Sequence, residues 1–525
     1  MKSMLQSLHL PILFFLLFST SVFGDGILYA SPGSEKSEVQ TLTLDGLKFL
    51  FDFDFEKANE KFTAASLLNP SHPRPPLARA LAPLWKYFAS RDALDYDTAV
   101  DATTEAIESG QRYLDRAGTN GGILPEDRAD ALACIGTAYG YRAFAHSLNK
   151  SLLKAAWDGR KSYSYLAEAI EADHNCYDAY LSLGILHYGT SFIPKALRWI
   201  VSILGIEADR DRGMKEIELA AKKGVYTATE AKYYLAQFTP WYSGDFTKSE
   251  KLMAELVREH PGNTVFLYTK GFLALRQNDV GTALPTFLRM KQAPRSFFSD
   301  IDRFADLRIG DCYFRLGEYT KAKESFEAFL EGHDLFQFVA MAAYLAGLSD
   351  EMMGNRTSAL VFYRRAAFVE SKHGEDVYAT RHAARFLLAP LTSLDSLLVV
   401  ARSAHRLNQH EKAITTYERI VRDGSSTAEL AAEAIYGIGE CLKDLGRADE
   451  AVAQFRQLPG RDVGAEKWVL PWAQFMLGEI AVAKGDRTSA KRCFTRVLSY
   501  DDYDSRNWLE FRSEQELEKL NAVKQ

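Results

Sequence analysis

The chain has 525 residues, of which 63 are Lys or Arg and 69 are Asp or Glu, giving a formal net charge of -6. With no basic run beyond pairs such as Lys222-Lys223 and Arg364-Arg365, this balance argues against a nucleic-acid partner. Five cysteines, Cys134, Cys176, Cys312, Cys441 and Cys493, stand singly without a CxxC; a disulfide framework is not expected, although a bridge such as Cys134 to Cys176 is left open.

Residues 1–24 start with Lys2, run through apolar Leu8 to Phe18 and end at Val22-Phe23-Gly24, the pattern of a cleavable export signal. An uncleaved N-terminal anchor is the alternative. No later stretch reaches the roughly 18 uncharged apolar residues of a spanning helix, and no cysteine near the cleavage site supports a lipid anchor. The expected location is outside the cytoplasm, periplasmic or outer-membrane-associated if the source is bacterial. Residues 25–43 read as a linker.

Within 44–263 the pattern is helical but irregular, and nothing alternates with period two for long. Gly46, Ala58, Phe62, Ala65 and Pro70 mark one helix pair, with Pro70 ending it. Leu77 to Arg91 and Tyr96 to Arg116 read as helices without that signature, and Gly118 to Pro125 as a loop. Gly136 with Tyr139, and Leu183 with Gly184, open two more pairs, while Gly244, Phe246 and Pro261 mark a further one. An insertion at 192–206 breaks this order. It sets Lys195, Arg198 and Ser202 on a narrow polar stripe and Ile193, Leu197, Trp199, Ile200, Ile203 and Leu204 on a broad apolar face. Such an amphipathic helix either packs across the array or lies against a membrane surface or a partner.

Over 264–504 the pattern becomes regular. Gly271, Gly310, Gly347, Gly439 and Gly478 are each followed by an alanine (Ala283, Ala322, Ala359, Ala451, Ala490) and then by an aromatic (Phe287, Phe326, Tyr363, Phe455, Phe494) at constant spacing. This is a tetratricopeptide signature: the small residue admits a close helix approach, the alanine sits where the second helix touches the first, and the aromatic fills the space beside the next repeat. The interval from Gly347 to the equivalent Ala401, 54 residues, leaves room for one extra helix within Asp376 to Leu388. Residues 505–525 are charged and read as a capping helix. The expected fold is all-α: a right-handed superhelical solenoid of antiparallel tetratricopeptide helix pairs with an inserted amphipathic helix.

The run from Gly184 through Ser191, Pro194, Ile206, Asp209-Arg210-Asp211-Arg212 and Gly213 resembles the eukaryotic tetratricopeptide repeat protein 39 group and its fungal relatives associated with mitochondria and inclusion bodies. Glu250 with Pro261-Gly262-Asn263 and Phe266, and Pro471 with Leu477-Gly478, Asp504-Ser505-Arg506 and Phe511-Arg512, extend the likeness from about Leu44 to the C-terminus. The resemblance implies shared architecture and a non-catalytic character. The export signal departs from that group, whose cellular role therefore does not transfer.

No HExxH, P-loop or nucleophile elbow occurs, so no catalytic residue, cofactor or metal is expected. His405 and His410 are five apart near a turn and read as surface residues. The acidic and arginine residues at 207–212 read as a solvated ion-pair cluster. Inward positions on the first helix of each pair give Tyr234, Phe238, Trp241, Tyr242, Tyr268, Phe272, Phe314, Arg315 and Tyr344, without the lysine and asparagine of carboxylate-clamping relatives. These aromatics are either core or a groove for an apolar peptide, a partner helix or a lipid-like ligand. The expected function is a protein-binding scaffold of the cell envelope that uses its concave face. The alternative is a carrier or sensor of an apolar ligand, with peripheral membrane contact.

Overall fold

A computed structural model describes residues 35–119, 122–193, 205–206, 208–293, 299–331, 337–371 and 373–522. Every regular element among them is an α-helix. In chain order these are α1 (Glu35–Phe51), α2 (Phe55–Leu68), α3 (Arg74–Arg79), α4 (Leu81–Ser90), α5 (Ala93–Thr119), α6 (Pro125–Leu148), α7 (Leu152–Ala172), α8 (Ala179–Thr190), α9 (Arg210–Lys223), α10 (Ala228–Tyr242), α11 (Phe246–Glu259), α12 (Thr264–Arg276) and α13 (Val280–Gln292). They continue as α14 (Ser299–Leu316), α15 (Tyr319–Leu330), α16 (Val339–Met352), α17 (Arg356–Ala367), α18 (Gly374–Leu388), α19 (Ser393–His405), α20 (His410–Arg422), α21 (Ala428–Asp444), α22 (Ala448–Phe455), α23 (Val469–Ala483), α24 (Arg487–Val497) and α25 (Arg506–Ala522).

The glycine and aromatic of each regular repeat meet as the spacing requires. A Cβ placed on Gly310, Gly347, Gly439 or Gly478 would stand 2.6 Å from the ring of Phe326, Tyr363, Phe455 or Phe494 respectively. Gly317, Gly354, Gly446 and Gly485 hold the turns inside these pairs at φ of 75° to 80°, where a side chain is strained. The extra helix of the long interval is α18. The segment read as a linker to residue 43 is already helical from Glu35, because Val39, Leu47 and Leu50 give α1 an apolar face that is buried. The export signal at 1–24 lies outside the described residues. So does most of the 192–206 insertion, including Leu197, Trp199, Ile200, Ile203 and Leu204; Ile193 is described and half-buried.

The described residues form two compact units, one comprising those from Glu35 to Leu273 with those of 289–302, the other Ala274–Leu288 with those from Arg303 onward. In the first, side chains at the starts of successive helices are tied together. The buried Arg74 guanidinium bonds Asp130 at 2.8 Å and covers the Tyr226 ring at 4.4 Å. Asp178 accepts from the Tyr226 and Thr227 backbone N–H groups at 2.8 and 2.9 Å, just before α10. The end of α1 meets the start of α12: Asn263 Nδ2 donates to the Phe51 carbonyl at 2.9 Å, and the Phe51 ring lies 4.9 Å from His260 and 5.9 Å from Phe266.

The second unit uses the same device. Asp376, fully buried at the start of α18, accepts from the N–H groups of Phe338 and Met341 at 2.9 and 3.0 Å, satisfying the first turn of α16. A helix end whose own residues supply no cap is thus capped by another helix.

Candidate partner-binding face

The residues expected to line an aromatic groove do not form an open one. Tyr234, Phe238, Tyr268, Phe314 and Tyr344 are buried. Phe238 stacks on Tyr188 at 4.5 Å and Tyr234 lies 5.5 Å from Phe238, inside a cluster with Leu181, Met214 and Ile217. Tyr344 faces Phe386 at 6.4 Å and Tyr378 at 6.3 Å. For Tyr234, Phe238 and Tyr344 the physical reason is that α9 and α18 cover the faces that a simple ladder would leave open. Phe272 is half-buried and stacks on Tyr268 at 6.3 Å; Arg315 is held by Asp311 at 2.6 Å. Tyr242 is half-buried and donates to Asp211 at 2.8 Å; burial and that bond push its hydroxyl up to about 12. Trp241 alone of the nine is exposed, at 37%.

In the second unit an ion-pair network surrounds Tyr378, which faces Tyr344. Arg381 bonds Glu466 at 2.5 Å and Asp504 at 2.6 Å, Trp468 Nε1 donates to Glu466 at 2.7 Å, and Arg402 pairs with Glu433 and donates to Tyr378 at 2.8 Å. Burial alone would raise the Glu466 pKa, but hydrogen bonds and charge from His382 and Arg381 outweigh it and hold the carboxyl well below the usual range.

The segment that sets this chain apart joins α8 to α9. Gly184 and Gly213 face each other so closely that a Cβ on Gly213 would lie 2.6 Å from the Gly184 carbonyl oxygen and 2.6 Å from the Tyr188 nitrogen. Beside this crossing the buried His187 Nδ1 lies 2.5 Å from Glu216, which Arg212 also bonds at 2.9 Å. Asp209 caps α9 by accepting from Asp211 and Arg212 N–H at 3.0 Å each. A shallow depression lined by Asp209, Asp211, Arg212, Lys215, Glu216 and Leu219 lies over this helix start. Its carboxylates are engaged in caps, ion pairs and the Tyr242 bond, so the predicted ion-pair cluster is a capped helix start.

A surface apolar face appears instead on α7. Leu153 and Trp157, one helical turn apart, are 90% and 62% exposed, with Leu152 also exposed beside them. Lys150, Lys154, Arg160 and Lys161 surround them. The acidic residue of this stretch, Asp158, turns inward and is bonded by Arg142 at 2.8 and 3.0 Å, so it does not neutralise the outer face. The sequence signal was there in Leu152-Leu153 and Trp157, but helical apolar residues are usually core.

Comparison with known proteins finds tetratricopeptide repeats in the C-terminal half of the chain. Tetratricopeptide-repeat family models match residues 304–333, 400–465 and 473–504. Tetratricopeptide repeat protein 8 of Caenorhabditis elegans is 26% identical over 212 residues, 37% of this chain, and the match spans only 39% of that protein's length. Among solved structures, yeast Tom70 is similar at 12% identity over 94% of this chain and 96% of that one, TM-score 0.26, and the P58(IPK) tetratricopeptide domain at 14% over 84% and 98%, TM-score 0.22. The matched residues include the helix pairs in which Gly310, Gly439 and Gly478 seat Phe326, Phe455 and Phe494. The described residues are all-helical, and three stretches of the C-terminal half match tetratricopeptide-repeat models.

Proposed function

We propose that this chain is a non-catalytic scaffold of the cell envelope that holds another protein, and that the docking face includes Leu152, Leu153 and Trp157 of α7. The observation that carries the reading is the exposure of Leu152, Leu153 and Trp157 together on one helix, at 53%, 90% and 62%, whereas Tyr234, Phe238, Tyr268, Phe314 and Tyr344 are buried. An apolar centre ringed by Lys150, Lys154, Arg160 and Lys161 suits a partner segment with apolar anchors and acidic flanks. The envelope setting rests on the export signal at 1–24. The buried tyrosines and phenylalanines give little support to an apolar-ligand carrier, since they are packed against one another.

The test is cross-linking in envelope extracts followed by purification of the full chain. A discrete stoichiometric partner, lost with Leu153→Asp and Trp157→Ala while thermal unfolding is unchanged, supports the reading. Identical recovery by wild type and both variants overturns the α7 assignment. N-terminal sequencing of the mature protein tests export, and an intact Met1 terminus counts against it.

A further inference from the structure

Three side chains from consecutive helices converge at one end of the α19, α20 and α21 group. His405 closes α19; after a tight turn in which Asn408 takes φ of 57°, His410 opens α20, and the two rings lie 5.6 Å apart at 63°. Cys441, fully buried one turn before the end of α21, comes to the same place, and one ligand atom from each of the three falls within 4.8 Å of the others. Asp444, on the same face of α21, lies 2.9 Å from His405 Nε2 and is exposed.

We propose that His405, His410 and Cys441 form a binding site for a zinc ion, with Asp444 as the carboxylate that orients the His405 ring. Two imidazoles and a thiol are the donor set of a borderline-soft divalent ion. The donors of a tetrahedral zinc site stand about 3.3–3.8 Å apart, given metal–ligand bonds of about 2.0–2.3 Å. The donors, within 4.8 Å of one another, therefore have about an ångström to close, a distance that rotation of two half-buried histidine side chains spans. His410 Nδ1 is shielded from solvent and makes no hydrogen bond. A carboxylate against a ligating histidine fixes its tautomer and raises its basicity.

Burial and the nearby Glu440, Asp444 and Glu411 push the Cys441 thiol up to about 12, so the ion has to displace its proton; the cations close by are engaged elsewhere, Lys443 with Glu479 at 2.7 Å and Arg447 with Glu450 at 2.6 Å. Another convergent set, His382 with Glu433 and Glu466, differs on this point. Its carboxylates are bonded by Arg402 and Arg381, whose guanidinium groups already supply the positive charge.

The experiment uses the full chain, reduced, freed of metal by a chelator and titrated with cobalt(II) chloride as the spectroscopic stand-in for zinc. The expected result is one equivalent bound, a near-ultraviolet thiolate-to-cobalt charge-transfer band, and its loss when zinc chloride is added. Cys441→Ala should abolish the band and Cys312→Ala, at a second buried cysteine, should preserve it. His410→Gln should weaken binding at least tenfold, and Asp444→Asn about 10–100-fold. Far-UV circular dichroism of each metal-free variant establishes that it is folded; if Cys441→Ala is not, His410→Gln at the half-exposed position carries the test. No charge-transfer band in the folded wild type, a band that survives Cys441→Ala, or equal cobalt affinity for wild type and His410→Gln would overturn the proposal.

Discussion

At the repeat glycines a hydrogen is a steric requirement, because an aromatic ring occupies the place of a side chain. Gly439→Ala, whose Cβ would meet the Phe455 ring at 2.6 Å, should lower stability by about 1–3 kcal/mol in urea unfolding. Gly159→Ala on α7, with nothing within 4 Å of its Cβ, should be neutral or stabilising by up to about 1 kcal/mol through helix propensity. Phe238→Ala should cost about 3–5 kcal/mol, marking it as core, since its ring is stacked and enclosed. The glycine and aromatic partnership was legible because it joins two positions at constant separation within one helix pair. The exposure of Phe238 or Tyr268 was not legible. A heptad-like position fixes which way a side chain points, and what covers it comes from helices whose placement the repeat pattern does not describe.

Among helices, the α8 and α9 crossing is the tightest departure from the regular ladder. Gly213→Ala should be more damaging than Gly439→Ala, because its Cβ meets backbone atoms of Gly184 and Tyr188 rather than the edge of a movable ring. A lower urea midpoint for Gly213→Ala than for Gly439→Ala checks this order. The sequence marked Gly184 and Gly213 as belonging together in one motif, but the pairing of His187 with Glu216 required the two helices to be superposed. Likewise His405 and His410 were visible as neighbours, while Cys441 reaches them only because α21 folds back over α20. The buried carboxylates between helices also have a pH signature. Glu466 has a folded pKa depressed below its ordinary 4.5, so its contribution is fully present above that value and is lost as pH falls below it. Wild type should therefore lose stability toward low pH more steeply than Glu466→Gln, with the two urea midpoints converging in acid.

At the scale of the molecule, the repeat signature pointed to the helical architecture seen throughout the described residues, and the family-model matches fall on the C-terminal part. The irregular N-terminal part obeys the same physics with less uniform residues. There, long helices such as α5 and α6 replace the short regular pairs, and no constant spacing announces them. The contact of Phe51 and Asn263 across 212 positions of sequence has a kinetic and cooperative consequence. An open ladder can zip up from any neighbour pair and lose terminal units one at a time. A unit in which the start of α12 is bonded to the end of α1 must close a loop of some two hundred residues before it gains that contact, which slows folding and joins distant helices into one cooperative transition. Trimming α1 would leave the start of α12 without its partner and return the unit to an open ladder, so its thermal transition should be broader and less cooperative than that of the full chain.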